Sequence, residues 1–350
     1  MTEKEILYYY PNRFASSRAY LKSINTKINS RNDLDKYINV VVNETVRESK
    51  NETERYFDQD TLQIRMVTEV ENLYSYSKFK NCGSNIFSFS KELLEMFDKT
   101  DVENIEYQHI KHPYKEYYIS FRDLNRSLLG EYMEYEHCID GVYISTEIDN
   151  CIILLISGFN DNKKKNWWYY PDFTNINTLD FIQPNKNVKF ALENLYDNLF
   201  KKYSDENPNL KPNLNRTFEE ISRNIKLIIN SILYLSTSKR DIKKEFPENL
   251  PQNLISKLKK AKTKHQIEVA ETDIKRSGFS KINFVGKSFI RKNIKPEKGD
   301  VETHWRRGHW RNQLYGKDLL DNKFIWIEPT IVRADKGVPE KGHIYNIEKE

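Results

Sequence analysis

Apolar side chains recur at helical spacing over the first 80 residues. One such stripe comprises Leu62, Met66, Val70, Leu73 and Tyr74. A spacing of three or four residues is typical of a helix with one buried face, so we predict a helical region up to about residue 80. Arg31–Asp33 can cap an earlier helix that runs through Val42. The polar stretch Glu44–Asp60 between them indicates a loop or a solvated helix.

The period changes from helical to alternating after a short helix that Ser90 opens and Phe97 closes. The strands that this alternation predicts are Tyr117–Phe121, Val142–Thr146 and Cys151–Ser157. Asp149–Asn150 is a plausible hairpin turn between the last two. Trp167–Phe173 predicts a fourth strand, which Pro171 would place at an edge. Short links between consecutive strands predict an antiparallel sheet.

Two amphipathic helices are predicted after these strands. The apolar face of the first comprises Val188, Leu192, Leu195, Tyr196 and Leu199. The apolar face of the second comprises Ile221, Ile225, Ile228, Ile229, Ile232 and Leu235. Thr217 and Glu220 have the spacing of a capping box, which predicts the start of the second helix. Packing of these apolar faces on the sheet gives an α+β fold.

The pattern predicts a second, smaller unit in the carboxy-terminal third. Lys239–Lys264 is rich in lysine and carries two prolines, which favours a linker. Extended segments follow it at Ile282–Phe289, Phe324–Ile327 and Ile331–Val332. The predicted organisation is a helical region at 1–80, an α+β domain at 81–236, a basic linker at 237–266 and a basic β-rich domain at 267–350.

Composition indicates a folded protein of a reducing compartment. The chain of 350 residues is 38% hydrophobic and 31% charged, and its 13% aromatic content supplies large apolar area for a core. The cysteines Cys82, Cys138 and Cys151 form no Cys-x-x-Cys pair, which argues against a zinc site or a disulfide framework. No signal peptide, membrane helix or cofactor motif is evident, so a cytoplasmic protein without a cofactor is expected.

Positive charge is concentrated in one segment. Lys239–Lys298 contains 17 Lys and Arg against 7 Asp and Glu, an excess of ten positive charges, whereas the whole chain carries only +5. The remainder is therefore net negative. A basic segment on an acidic body predicts an anionic partner such as RNA or the ribosome, and a solvated linker is the alternative.

The densest group of reactive side chains is His304–Arg311, which has the sequence His-Trp-Arg-Arg-Gly-His-Trp-Arg. Arginine pairs phosphate bidentately, indole rings stack on bases, and histidine moves protons near neutral pH. Three interpretations follow: a structural edge strand whose indoles fill the core, a recognition surface, or a catalytic site. For catalysis, His304 and His309 are the candidates, with Arg306 or Arg307 stabilising the transition state of metal-free phosphodiester cleavage.

Recognition would draw on basic and aromatic residues in and around this motif. The candidate binding residues are Arg291, Lys292, Arg306, Arg307, Trp310, Arg311 and Tyr315. A metal site is not expected, because the two histidines and the nearby carboxylates lack ligand spacing. Gly286–Ser288 resembles the end of a phosphate loop, but the first glycine of that motif is missing, which excludes a P-loop nucleotide site.

The carboxy-terminal motif resembles an anti-CRISPR family directed against type V-A effector nucleases. The resemblance rests on His304–Trp310, then Tyr315–Gly316, then Glu328–Val332, with weaker similarity in element order from Ile86 onward. It implies a protein of mobile genetic elements that recognises the emerging amino terminus of the effector and lowers its messenger RNA. The expected partners are then the nascent effector chain, with RNA or the ribosome as a further one, in the bacterial cytoplasm.

Two alternatives stay open beside this resemblance. One is a metal-independent RNA-cleaving enzyme of the toxin type that uses His304 and His309. The other is a plain RNA-binding or ribosome-binding accessory protein without catalytic activity. Cleavage of RNA by the purified protein would separate the enzyme from both other functions.

Overall fold

The computed structural model describes residues 9–22, 24, 28, 30–51, 59–124, 137–146, 151–160, 174–180, 185–201, 211–237, 241–247, 250–276, 279–288, 304–306, 308–327 and 330–332. At 151–160, 174–180, 304–306 and 330–332 it describes the backbone alone. The helices are α1 (Tyr10–Ser17), α2 (Arg31–Asp35), α3 (Ile38–Asn51), α4 (Gln59–Asn81), α5 (Lys91–Phe97), α6 (Val188–Tyr196), α7 (Lys211–Ser236), α8 (Gln252–Lys260) and α9 (Lys264–Arg276).

A mixed sheet of seven strands forms the centre of the described fold. Its strands, in chain order, are β1 (Ile86–Phe89), β2 (Glu116–Ser120), β3 (His137–Ser145), β4 (Cys151–Asn160), β5 (Thr174–Asp180), β6 (Ile242–Glu245) and β7 (Ile282–Val285). They are ordered β5-β4-β3-β2-β1-β7-β6 across the sheet. Strand β1 runs parallel to both of its neighbours, and the other pairings are antiparallel.

Two small sheets complete the described strands. Strands β9 (His309–Tyr315) and β10 (Asp321–Ile327) form one antiparallel pair. Strands β8 (His304–Arg306) and β11 (Thr330–Val332) form the other. No helix among the described residues is long and apolar enough to cross a membrane.

Helices cover both faces of the seven-stranded sheet, and successive residues of its central strands enter different cores. In β2, Tyr117 and Ile119 belong to the main core, which contains the apolar faces of α5, α6 and α7. Tyr118 instead belongs to an amino-terminal core with α1 and α4. Because both faces are covered, every residue of β2 is buried, as is usual for strands next to a parallel pairing.

A buried carboxylate joins the amino-terminal helices to the sheet. Asp140 lies at an irregularity of β3 between positions 139 and 141 and is fully buried. Its carboxylate accepts hydrogen bonds from Arg13 Nη2 at 2.9 Å, from the backbone N–H of Tyr10 at 3.3 Å and from Arg122 Nη1 at 3.5 Å. The hydroxyl of Tyr118 donates a further one. These donors satisfy a charge that would otherwise be costly to bury.

Ser90 connects β1 and α5 to β7. Its hydroxyl accepts the N–H of Leu93 at 3.4 Å, which caps α5, and donates to the carbonyl of Gly286 at 2.9 Å. Gly286 has a φ of +80°, and a Cβ there would lie 2.5 Å from Leu93 Cδ2. The glycine of the phosphate-loop-like tripeptide is therefore required by close packing against α5.

The apolar stripe predicted for α7 is confirmed, whereas the side chains of Leu62 and Leu199 in the other two stripes lie outside the described residues. Two predicted helix starts are wrong. Ser30, and not Arg31–Asp33, caps α2, because its side chain accepts the N–H of Asp33. A break at positions 36–37 separates α2 from α3, so no single helix continues through Val42. Thr217 and Glu220 lie inside α7, which begins six residues earlier at Lys211 because Pro212 is tolerated in a first helical turn.

The α+β class is confirmed, as is the hairpin of β3 and β4. The antiparallel prediction holds for β2 to β5, whereas the parallel pairings of β1 with β2 and β7 were not predicted. The window predicted as a linker, 237–266, contains β6 and α8. The predicted strand Trp167–Phe173 lies outside the described residues.

His112 predicts a pH dependence of stability. Its Nδ1 lies 2.8 Å from the buried hydroxyl of Tyr117, and burial lowers the pKa of the imidazole from 6.5 to about 4. The unfolded chain therefore takes up a proton near pH 6.5 that the folded chain does not accept until about pH 4. The free energy of unfolding should fall as the pH drops through this window, by up to about 3 kcal/mol.

Denaturant titrations at several pH values check this expectation. A His112→Gln variant retains a polar partner for Tyr117 but cannot titrate, so its stability should vary less between pH 6.5 and 4. Identical pH profiles for the parent and the variant would show that His112 does not contribute.

Candidate functional site

The candidate site is the carboxy-terminal β-hairpin formed by β9 and β10. Its register pairs Trp310 with Trp326 at one end and Tyr315 with Asp321 at the other. Directly opposed residues of an antiparallel pair share a face, and successive residues alternate between faces. One face therefore carries both tryptophans and Phe324. The opposite face carries the alternate residues of β9, namely His309, Arg311, Gln313 and Tyr315.

An aromatic cluster fixes the base of the hairpin in the main core. The ring centroids of Trp310 and Trp326 are 6.3 Å apart. Trp326 also lies edge-on to Phe97 of α5 at 5.1 Å and to Tyr234 of α7 at 5.6 Å. Edge-to-face pairs at this spacing are favourable beyond the area that they bury. The hairpin is thus anchored through two helices.

Asn230 links three parts of the molecule at this base. It is fully buried in α7, and its Oδ1 accepts the indole N–H of Trp310 at 2.7 Å. Its Nδ2 donates to the carbonyls of Phe97 at 3.1 Å and Thr100 at 2.9 Å, at the end of α5. Sequence reasoning missed this residue. The available signal was an amide between Ile229 and Ile232 on an otherwise apolar helix face.

The outer face of the hairpin brings together three of the candidate residues. His309, Arg311 and Tyr315 lie at alternate positions of β9, and each is exposed. Lys323 of β10 shares this face, with its Nζ 4.8 Å from the centroid of the Tyr315 ring, within range of a cation–π interaction. The outer face therefore combines basic and aromatic side chains with the exposed carboxylate of Asp321, which lies opposite Tyr315.

The turn of the hairpin exposes a group of large apolar side chains. Leu314, Tyr315, Leu319 and Leu320, here termed the apolar tip, are 54%, 43%, 59% and 84% exposed. Asp318 and Leu319 have positive φ values, a strained backbone for residues other than glycine. Clustered exposure of this kind typically marks a protein interaction surface. Among the described residues, the other exposed large apolar side chains are Val40, Val67, Tyr114, Ile267 and Val269, of which only the two in α9 share an element.

The structure separates the two catalytic candidates. His304 lies in β8 and His309 in β9, which belong to different two-stranded sheets on either side of Gly308. The two histidines therefore do not lie on one continuous strand. Trp310 is buried, in agreement with the structural interpretation of that indole.

Side-chain contacts of four candidate binding residues lie outside the described part of the structure. Arg306 lies in β8, where the backbone alone is described, and Arg307, Arg291 and Lys292 lie outside the described residues. No group of three or more His, Cys, Asp or Glu side chains that could hold a metal ion occurs in the described part of the chain.

Comparison with known proteins assigns the family. Residues 87–334, more than two thirds of the chain, match the model of the anti-CRISPR type V subtype A2 family, termed AcrVA2-like. The chain belongs to this anti-CRISPR family. No curated protein sequence matches it. A crystal structure of AcrVA2 matches 92% of this chain and 97% of its own, with 14% sequence identity and a TM-score of 0.46.

The family assignment includes the whole candidate site of this anti-CRISPR protein. The hairpin of β9 and β10, its anchor Asn230 and the seven-stranded sheet from Phe87 onward all lie within the matched residues. Helices α1 to α4 precede the match and cover the opposite side of the sheet.

Proposed function

We propose that this anti-CRISPR protein suppresses production of a type V effector nuclease by recognising the nascent effector chain and promoting loss of its messenger RNA. The family assignment supports the anti-CRISPR activity. The observation that carries the recognition step is the apolar tip, four large exposed side chains on a hairpin whose base is anchored in the core.

The chemistry of the apolar tip fits a short peptide with apolar residues. Complete burial of one leucine side chain is favourable by about 1.5–3 kcal/mol, so contacts with Leu314, Leu319 and Leu320 could supply a specific affinity. A rigid base reduces the entropic cost of binding, because the hairpin need not be ordered by the partner. Tyr315 adds an exposed aromatic side chain on the face of the hairpin opposite to that of Leu314.

The backbone of the hairpin offers a second way to hold an extended peptide. Within the described residues, the only strand-like partner at its outer edges is the bridge between His309 and Asp101. An unpaired edge presents N–H and C=O groups that an incoming strand can bind, with its alternate side chains on each face. A nascent amino terminus is extended before it folds and suits this mode.

Removing the apolar tip tests the proposal. In cells that express a type V effector, the parent protein should lower both effector protein and effector messenger RNA. The double variant Leu314→Ser and Leu320→Ser should bind a peptide of the effector amino terminus at least about tenfold more weakly and restore both levels. Immunoblotting, quantitative PCR and fluorescence anisotropy with the peptide provide the measurements.

A matched control removes two exposed aliphatic side chains elsewhere. Val67→Ser in α4 and Val269→Ser in α9 remove side chains that are 54% and 41% exposed and should leave suppression intact. Full activity of the tip variant would overturn the assignment of recognition to the hairpin. A drop in effector protein without any drop in its messenger would overturn the proposed messenger loss. Metal-free cleavage of RNA by the purified protein would instead support an enzyme.

A further inference from the structure

Helices α8 and α9 form a rigid helical hairpin next to strand β6. Leu254 of α8 and Ile274 of α9 pack with Leu250 and Phe279 in a separate small core. Gln266 orders the turn between the helices. Its Oε1 accepts the backbone N–H groups of Lys262 at 2.9 Å and Thr263 at 3.2 Å. In return, the hydroxyl of Thr263 accepts the backbone N–H of Gln266 at 3.2 Å, which completes a capping box.

Charge is distributed unevenly along this helical hairpin. Away from the turn, Lys257 pairs with Asp273, and Lys281 pairs with Glu271 at 2.7 Å. At the turn lie four exposed lysines, Lys259, Lys260, Lys262 and Lys264, here termed the basic tip. None of the four has an ion pair among the described residues. The sequence from position 259 to 267 contains no acidic residue.

Helix stability explains only the charge of Lys259 and Lys260, which lie in the last turn of α8, where the helix dipole favours a cation. Lys264 opens α9, and no acidic residue lies in the first turn of that helix. Positive charge at a helix amino terminus opposes the helix dipole, typically by 0.3–1 kcal/mol at an exposed site. Four adjacent lysines also repel each other, since no neighbouring carboxylate compensates them. A bound polyanion would relieve both costs.

We infer that the basic tip binds the phosphate backbone of a nucleic-acid double helix. Lysine ammonium groups contact phosphates as point charges without reading base sequence. The tip contains no aromatic residue, so it lacks the stacking platform that single-strand binding uses. The large apolar side chains nearest to it, Ile267 and Val269, are only 38% and 41% exposed, which leaves little apolar surface to insert into a membrane. A double helix displays its phosphates outward and needs neither feature.

Salt-dependent binding tests this inference on the full-length protein. The probe is a fluorescent RNA duplex of about 16 base pairs, the length that a double-stranded RNA-binding domain spans, with a DNA duplex of the same sequence in a second arm. Replacing all four lysines of the basic tip with glutamine should weaken binding at least tenfold at low salt. It should also reduce the slope of log affinity against log salt by about 3–4, since each lost contact contributes about 0.9.

The control variant replaces four exposed lysines outside the basic tip with glutamine and so loses the same amount of positive charge. These lysines are Lys80, Lys111, Lys115 and Lys244. It should retain most of the affinity of the parent. Circular dichroism of both variants should show parental folding, because every replaced side chain is exposed. Binding to either duplex supports the inference, and the ratio of the two affinities identifies the nucleic acid.

Three results would overturn the inference. The first is an unchanged affinity and salt slope in the basic-tip variant, and the second is an equal loss in the control variant. The third is binding of the basic tip to phosphatidylserine vesicles without binding to either duplex. None of these measurements involves a CRISPR effector, so the inference can fail while the proposed suppression of the effector holds, and the reverse is equally possible.

Discussion

Replacing Trp310 with alanine is expected to lower the free energy of unfolding by about 3–5 kcal/mol. The indole is 9% exposed and packs against Trp326 at the base of the hairpin. Its loss leaves a cavity and also leaves Asn230 Oδ1 without its donor. Equilibrium denaturation followed by tryptophan fluorescence and circular dichroism measures the change.

Two further variants separate the packing of this indole from its hydrogen bond. Trp310→Phe keeps an aromatic ring but removes the N–H, so we expect a smaller loss of about 1–3 kcal/mol from the unpaired Asn230 oxygen. Leu320→Ala alters a side chain that is 84% exposed and should change stability by less than about 0.5 kcal/mol. A Trp310→Ala protein as stable as the parent would contradict the anchoring of the hairpin.

Replacing Asp140 with alanine should destabilise the fold by about 3–5 kcal/mol. The substitution leaves the guanidinium of Arg13, which is itself buried, without its charged partner at 2.9 Å. It also removes the acceptor of the Tyr10 backbone N–H and the Tyr118 hydroxyl. Helix α1 should therefore detach first, which amide hydrogen exchange of residues 10–17 can follow.

A double-mutant cycle with Arg13→Ala tests whether this effect belongs to the pair. In the Asp140→Ala background, Arg13→Ala should cost far less stability than it does in the parent. In that background the substitution removes a buried guanidinium that has lost its Asp140 partner, whereas in the parent it breaks the ion pair. Glu193→Ala, which breaks an exposed ion pair with Lys189 in α6, should change stability by less than about 1 kcal/mol. Additive effects of the Arg13 and Asp140 substitutions would contradict the coupling.

Elements with strong local periodicity could be predicted from the sequence. The stripe of α7 is buried from Ile221 to Leu235, and the alternating segments predicted at 142–146 and 151–157 correspond to β3 and β4. In both cases the repeating pattern of apolar residues is contained within one helix or one strand. Such a local pattern can be recognised without knowing what the element packs against. The family suggested by the resemblance is likewise confirmed, through a match over residues 87–334.

Features that depend on distant contacts could not be predicted. The alternation of Phe87, Ser88 and Phe89 is too short to identify β1, and the burial of Ser88 with its neighbours does not follow from that alternation. Its parallel partner β7 lies far along the chain, and no local pattern specifies that pairing. Asn230 could be recognised only as an exception in an apolar stripe, since the indole that it binds is 80 positions away.

The central position of β1 has a consequence for how the chain folds during synthesis. Ser90, at its end, bonds with Gly286 across a separation of 196 positions. At about 5–20 residues per second, a ribosome needs on the order of 10–40 s to deliver that partner. Until then β1 is an open edge of the sheet, and such edges invite pairing with other chains. Slower elongation through the second half of the chain should therefore raise the aggregated fraction at the expense of the folded yield.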